Sequence, residues 1–316
     1  MPWCGTALRR TIVPPSMGGV TQPVQRPPHS DDPTVREVMA VLERLYPPEA
    51  AQSWDRVGLV AGDPDQPVRR VHLAVDPTLA VIEEARAAGA DLIITHHPLL
   101  LRGVHSVATT TAKGAAVTEL IVNDIALYCA HTNADVADPG VGHALASACG
   151  LTETIALEIA EGHELGRVGD LPEPLELAEF ARRLAGRLPP TPGGIRVAGP
   201  PDGRVGRVAV LGGAGDGSFE AVRTSGADVY VTADLRHHPA LEAREEAALR
   251  DGRPYLIDAG HYASESLWLP GLAQRLVAEI GGTADRLEVH VSEVRTDPWD
   301  FVLGASGPQH TQGDHA

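Results

Sequence analysis

Three histidines and two carboxylates, His96, His97, Asp135, His261 and Glu265, are the residues of this 316-residue chain whose types and spacing suggest metal chemistry. His96 and His97 follow the apolar run 92–95 (LIIT). Adjacent side chains in extended backbone point to opposite sides, so the pair serves two ions or bends around one. Taken alone, one packed and one solvated histidine is the simpler account. His261-x-x-x-Glu265 opens a helical stretch, where the i, i+4 spacing puts imidazole and carboxylate on one face. A hydrogen bond along that face explains the spacing equally well. Asp135, in His131-Thr132-Asn133-Ala134-Asp135, also suits a helix N-cap or a turn. Gathered at sheet edges, however, the five make a mixed nitrogen and oxygen donor set. Such a set suits two divalent ions, Zn, Mn, Fe, Co or Ni, without selecting among them. Ions roughly 3.5–4 Å apart need a bridging carboxylate or water. Glu265 reaches farther than Asp135 and is the better bridge.

Something must bring positions 96, 135 and 261 together, and an internal repeat supplies it. Val71, Glu83, Arg86, Gly89, Ala90, Asp91 and Thr95 recur, at a constant shift of 137, as Val208, Glu220, Arg223, Gly226, Ala227, Asp228 and Thr232. A shift of 130 lays His131-x-x-x-Asp135 on His261-x-x-x-Glu265. The surrounding pattern alternates. A helix is expected over 33–45, with Pro33 in its first turn, then a strand over 71–75 and a helix over 79–88 stopped by Gly89. Strand 92–95, helix 113–123 and strand 125–130 come next. Residues 151–206, rich in proline and glycine, read as a link broken by one helix-like stretch, 175–188. Strands at 208–211, 229–232 and 255–259 then alternate with helices at 218–225, 240–250 and 267–280.

This is an α/β pattern around a mainly parallel sheet. It predicts two pseudo-symmetric α/β halves, about 33–150 and 207–303, packed around a shared dinuclear metal site. The polar clusters all fall at strand ends, where open α/β sheets bind ligands. His237-His238 and Asp234 form one of these clusters, and Asp234 and His238 are candidate proton shuttles. Gly213-x-Gly215-x-Gly217 suits either a phosphate-cradling turn or a plain tight turn.

Bulk composition removes other classes. The net charge of −16 repels phosphate backbones, which argues against broad binding to nucleic acid or anionic membranes. Lys113 is the only lysine. Cys4, Cys129 and Cys149 are odd in number and lack CxxC spacing, against a disulfide framework or a cysteine zinc knuckle. No apolar run reaches the length of a membrane span, and residues 1–30 lack the apolar core of a secretory signal. A cytoplasmic location is expected. Residues 1–32 and 304–316 read as unstructured tails, with Met17 an alternative start.

With those residues in view, the chain resembles the NIF3-like family, also labelled GTP cyclohydrolase 1 type 2 homologues. The matching segments are Ser53-Trp54-Asp55-Arg56-Val57-Gly58-Leu59, Gly89-Ala90-Asp91 through His96-His97-Pro98-Leu99, and His131 through Asp135. In the second half they are Gly226-Ala227-Asp228 through Asp234, then His238, and Asp258-Ala259-Gly260-His261-Tyr262-Ala263-Ser264-Glu265. The resemblance implies a dinuclear metal centre held by His96, His97, Asp135, His261 and Glu265. It also implies two similar α/β halves and a toroidal homo-hexamer with the metal sites facing an interior cavity. Ala233 departs from the usual glycine of Thr-Gly-Asp, so the loop before Asp234 is expected to differ in shape. The 151–206 segment is too short for the extra domain of longer members. The label implies hydrolytic opening of the GTP ring, although no residue here identifies guanine. The expected function is a metal-dependent hydrolase acting on a nucleotide or another phosphorylated small molecule. A non-enzymatic metal-binding or regulatory ring assembly is the alternative.

Overall fold

The repeated Gly-Ala-Asp-x-x-x-Thr block does the same structural work twice. In a computed structural model, which describes residues 32–281 and 287–303, Gly89 and Gly226 end helices in the left-handed region, at φ 68° and 69°. That conformation costs glycine little. Ala90 and Ala227 are buried behind them. The Asp91 carboxylate then accepts from the backbone N–H groups of Arg69 and Arg70, at 2.7 and 2.9 Å. Asp228 accepts in the same way from Gly206 and Arg207, at 2.7 and 2.9 Å. Each aspartate thus ties the strand it opens to the start of the preceding one. The block recurs because this junction recurs.

Helix α1 (Val35–Leu45) begins at Thr34, whose hydroxyl accepts from the Glu37 N–H while the Glu37 carboxylate accepts from the Thr34 N–H. Pro33 therefore precedes the cap instead of sitting in the first turn. After β1 (Gly58–Ala61) and β2 (Arg70–Ala74), helix α2 (Leu79–Ala88) crosses to β3 (Leu92–Thr95), and α3 (Ala112–Val122) crosses to β4 (Ala126–Cys129). Two short helices, α4 (Thr132–Asp135) and α5 (Val141–Cys149), lead into the second half.

The segment expected to be a link is not one. It forms β5 (Thr154–Ala160), the long β6 (His163–Glu176), α6 (Leu177–Ala185) and β7 (Arg196–Ala198). All three strands join a six-stranded sheet with β8 (Arg204–Ala214), β9 (Val229–Ala233) and β10 (Tyr255–Asp258), in the order β5-β6-β8-β9-β10-β7. Helices α7 (Phe219–Ser225) and α8 (His237–Ala248) make its crossovers. Proline and glycine suggest a link here because they sit partly in the β5–β6 hairpin and more densely in the connections on either side of β7.

Two more helices come after β10, α9 (His261–Ser266) and α10 (Leu269–Gly281), and then β11 (Glu288–Val291). This last strand leaves the second half. It pairs in parallel with β2 and completes the first sheet, β1-β4-β3-β2-β11. Leu272 and Leu276 of α10 pack in the same core as Val38 and Leu42 of α1. A boundary at 207–303 therefore does not enclose a separate half.

The expected parallel sheet is also only part of the picture. Strands β4-β3-β2-β11 and β8-β9-β10 are parallel, whereas β1, β5, β6 and β7 pair antiparallel. Helix α5 bridges two of the four hydrophobic cores, with Val141 in one and Leu145, Ala146 and Cys149 in another. No described helix is long and apolar enough to cross a membrane. Of the tails expected at 1–32 and 304–316, all but Asp32 lie outside the described residues, as does Met17.

The aspartate junctions give a test. Asp91→Ala and Asp228→Ala each leave two backbone donors without their acceptor, so each should lose about 2 kcal/mol in urea unfolding. Asn substitutions, which keep an acceptor oxygen, should lose less. Losses below about 0.5 kcal/mol, the range of ordinary surface substitutions, would remove the junctions as the reason for the repeat.

Candidate metal centre

His96 and His97 continue the β3 ladder, their N–H groups bonding to the carbonyls of Ala74 and Val75. Backbone position is thus fixed before any side chain is considered. The rings are fixed next, through Nδ1. His96 donates to the Ala130 carbonyl at 3.0 Å and His97 to Asp76 at 2.7 Å. His131 donates to Asp55 at 2.9 Å and His261 to Asp234 at 2.8 Å. Carbonyl and carboxylate oxygens only accept, so Nδ1 carries the proton in each neutral ring. The Nε2 lone pairs are left for something else.

Glu265 of α9 lies where three of these nitrogens meet. Its carboxylate is 3.1 Å from His97 Nε2, 3.1 Å from His261 Nε2 and 3.5 Å from His96 Nε2. Asp135, at the end of α4, lies 3.5 Å from His96 Nε2. His97 Nε2 and His261 Nε2 are only 3.2 Å apart. With both tautomers set by their Nδ1 partners, two lone pairs would face each other there. The contact is tolerable only with a proton or another cation between them. His96 Nε2 and Glu265 Oε2 are buried without an aligned hydrogen bond, even though Oε2 is close to His97. Buried polar atoms without partners are expensive. These are the atoms a metal ion would satisfy.

Two groups meet the geometry for an ion, each with ligand atoms within 4.8 Å of one another. One is His97, His261 and Glu265, and the other His96, His97 and His131. The electrostatics agree. Burial disfavours charge on His97, but hydrogen bonds to Asp76 and Glu265, and their charges, outweigh it and push its pKa up to about 10. His261, opposed by burial and drawn by Glu265 and Asp234, is pushed up to about 9. Glu265 should rise through burial, yet the charge of His96 and the surrounding hydrogen bonds hold it well below the usual carboxylate range. Asp135 moves the other way: burial and the nearby Glu265 charge raise it despite His96. Without an ion, the cluster draws positive charge into a buried place. Metal sites of neutral imidazole and carboxylate have this character.

Gly213 explains the glycine run. It is within β8 and not in a turn, and a Cβ there would come 2.3 Å from Glu265 Oε1, at a φ of +69°. A Cβ on Gly215 would come 2.0 Å from Thr232 Oγ1. At these two positions the run makes room for neighbouring side chains, Glu265 among them, instead of shaping a phosphate cradle. The 137-residue shift pairs Gly213 with Asp76, and both positions abut the cluster, one beneath Glu265 and one behind His97.

All five expected ligands, His96, His97, Asp135, His261 and Glu265, are brought together. The expected proton shuttles are placed differently. Asp234 (φ 52°) holds His261 from outside the cluster, and this left-handed residue directly follows Ala233. His238 is exposed at the start of α8, its ring meeting His237 at 5.2 Å. His131 joins the cluster without being among the expected ligands, although its alignment with His261 marks it. Asp76 and Asp55 carry weaker signals, being carboxylates at a strand end and in a loop, and only the fold puts them behind imidazoles.

The sequence profile of the Duf34/NIF3 (NGG1p interacting factor 3) family matches residues 33–298. A Streptomyces coelicolor protein named GTP cyclohydrolase 1 type 2 homolog is 50% identical, over 89% of this chain and 99% of its own length. A Mycobacterium tuberculosis protein of the same name is 35% identical over 84% of this chain and 96% of its own length. That alignment spans 374 positions, more than this chain's 316 residues, so the relative carries residues absent here. The crystal structure of a Bacillus cereus protein related to NIF3 superposes with a TM-score of 0.77 at 27% identity, covering 86% of this chain and all of the other. With the profile spanning both sheets and every residue of the cluster, this chain belongs to the Duf34/NIF3 family.

Proposed function

We propose that the chain is a dinuclear metal-dependent hydrolase acting in the cytoplasm on a nucleotide or another phosphorylated small molecule. The observation that carries this reading is the Nε2–Nε2 approach of His97 and His261 over the buried Glu265, at 3.2 Å, beside a His96 nitrogen with no partner. Lone pairs aimed at one another over a buried carboxylate are suited to cations. Two divalent ions bound there would polarise a substrate oxygen and lower the pKa of water toward neutrality. His97 belongs to both groups of donors, and Glu265, a member of one, lies 3.5 Å from His96 of the other.

The chain's own residues do the rest by holding geometry. Asp76, Asp234 and Asp55 fix the ring orientation of His97, His261 and His131, and Asp76 and Asp234 also raise the basicity of His97 and His261, as carboxylates behind metal-binding imidazoles do. Asp234 therefore acts through His261, and the assignment leaves His238 out. The name GTP cyclohydrolase 1 type 2 homolog, borne by the relatives, supports a nucleotide as the first substrate to try. The family resemblance supports a ring of six copies. Light scattering on the purified protein should then give six times the 33.3 kDa chain mass, and a monomer or dimer would remove the ring.

Elemental analysis paired with a hydrolysis screen on nucleotides and phosphoesters tests the main reading. Two ions per chain and turnover are expected, both lost in Glu265→Ala. Turnover that survives in metal-depleted Glu265→Ala protein defeats the hydrolase assignment, while stoichiometric metal without any turnover favours a non-enzymatic metal-binding assembly. Asp76→Asn and Asp234→Asn should weaken metal binding by about 10- to 100-fold, measured by competition with a chromophoric chelator. Unchanged affinity in both would mean that the aspartates do not tune the imidazoles.

A further inference from the structure

The loop before β1 carries an indole that the metal cluster does not use. Trp54 is 51% exposed, in a chain where aromatic residues make up only 4%. It is not a loose side chain. Its Nε1–H donates to Gln52 Oε1 at 2.7 Å, so the one polar atom of the ring is satisfied within the loop. The loop is clamped on two sides. On one side the Gln52 N–H donates to Thr132 Oγ1 at 2.9 Å, and Asp55 accepts from Thr132 and His131. On the other, the Ser53 N–H and hydroxyl both donate to Glu161, at 2.8 and 3.0 Å. Glu161 lies between β5 and β6, so the tip of that hairpin serves as the second clamp.

The clamps hold the indole close to the cluster. The Trp54 ring meets the His131 ring edge to face, with centroids 5.8 Å apart. His131 in turn contacts His96 and His97 at 5.1 and 5.4 Å. A rigid aromatic surface, wet on one side and packed against a donor of the cluster on the other, has the properties of a stacking platform. Indoles stack on flat rings whatever the base, because every base has a π face.

We propose that Trp54 is a substrate-binding residue that stacks on a planar heteroaromatic ring while the rest of the ligand reaches the cluster. The chemical step after binding rests on the hydrolase reading, but the binding itself can be measured without turnover. The stacking role narrows the substrate class to phosphorylated molecules that carry a flat ring, such as nucleotides, over sugar phosphates.

The test is calorimetric titration of the full-length protein with AMP and with ribose 5-phosphate, which has the same phosphate and sugar but no ring. The wild type should bind AMP the more tightly. Trp54→Ala should lower AMP affinity about tenfold or more and leave ribose 5-phosphate unchanged, whereas Trp54→Phe should keep most of the preference. Metal content and the midpoint of thermal unfolding, read on each variant, should match the wild type and exclude a folding defect. If Trp54→Ala loses metal or unfolds early, Gln52→Ala replaces it: freeing the indole should cut the ring preference in part. No preference in the wild type, or one that survives Trp54→Ala, overturns the proposal. So does a variant whose binding is intact but whose oligomer falls apart, since the indole would then face another copy of the chain. Ring preference without hydrolysis of any substrate would retain Trp54 as a binding residue and remove only the hydrolase reading.

Discussion

Each of four histidines gives its Nδ1 proton to a fixed acceptor, and the functional geometry depends on that constraint. An imidazole free to rotate or change tautomer can bury either nitrogen. Here the Ala130 carbonyl and the carboxylates of Asp76, Asp55 and Asp234 settle the choice before any ion arrives. The Nε2 lone pairs of His96, His97 and His261 then crowd around Glu265 at a distance that is unfavourable without added positive charge. The protein has built a repulsion into its interior, and the surrounding cores must hold it. Glu265 and His96 are almost wholly inaccessible, and strands β3 and β4 next to them are buried throughout. Close packing keeps the cluster from spreading and relaxing the strain.

The order of the chain makes much of this legible. The Gly-Ala-Asp block marks a junction that recurs at both strand pairs, and the offset of His131/Asp135 from His261/Glu265 points to a single meeting place. Strand ends carry the signal because α/β topology gathers them along one edge. The hidden part is long-range and polar. Nothing near Asp55 says that its carboxylate sits behind His131, 76 positions away, since that contact depends on how the loop before β1 folds over α4. The run at 213–217 resembles a phosphate turn because glycine registers only a need for space. The need comes in part from Glu265, far along the chain, which no local pattern could reveal.

The segment 151–206 shows the same limit from the other side. Local composition describes it correctly as rich in turns, but strand pairing is a non-local property. Strand β6 pairs with β8 through a register shift between Asp170 and Leu175, where Pro172 and Pro174 interrupt the ladder without ending it. The hairpin that results does more than widen a sheet. Its tip reaches Ser53 and steadies the loop that holds Asp55, so a stretch that resembles a spacer supports the cluster.

The strand that completes the first sheet is the last of the described strands to be made. Glu288–Val291 docks beside β2, and beyond it Ser292 reaches Glu84 while Thr296 donates to Asp76, the residue behind His97. On a ribosome these residues emerge after everything they support. Until then β2 is an open edge and Asp76 lacks one of its partners, so the nascent chain carries most of the donors for an ion but not the finished site. The chain therefore finishes its candidate metal site only with nearly its last described residues, and a protein cut short before Thr296 would display the histidines without the bracing behind them.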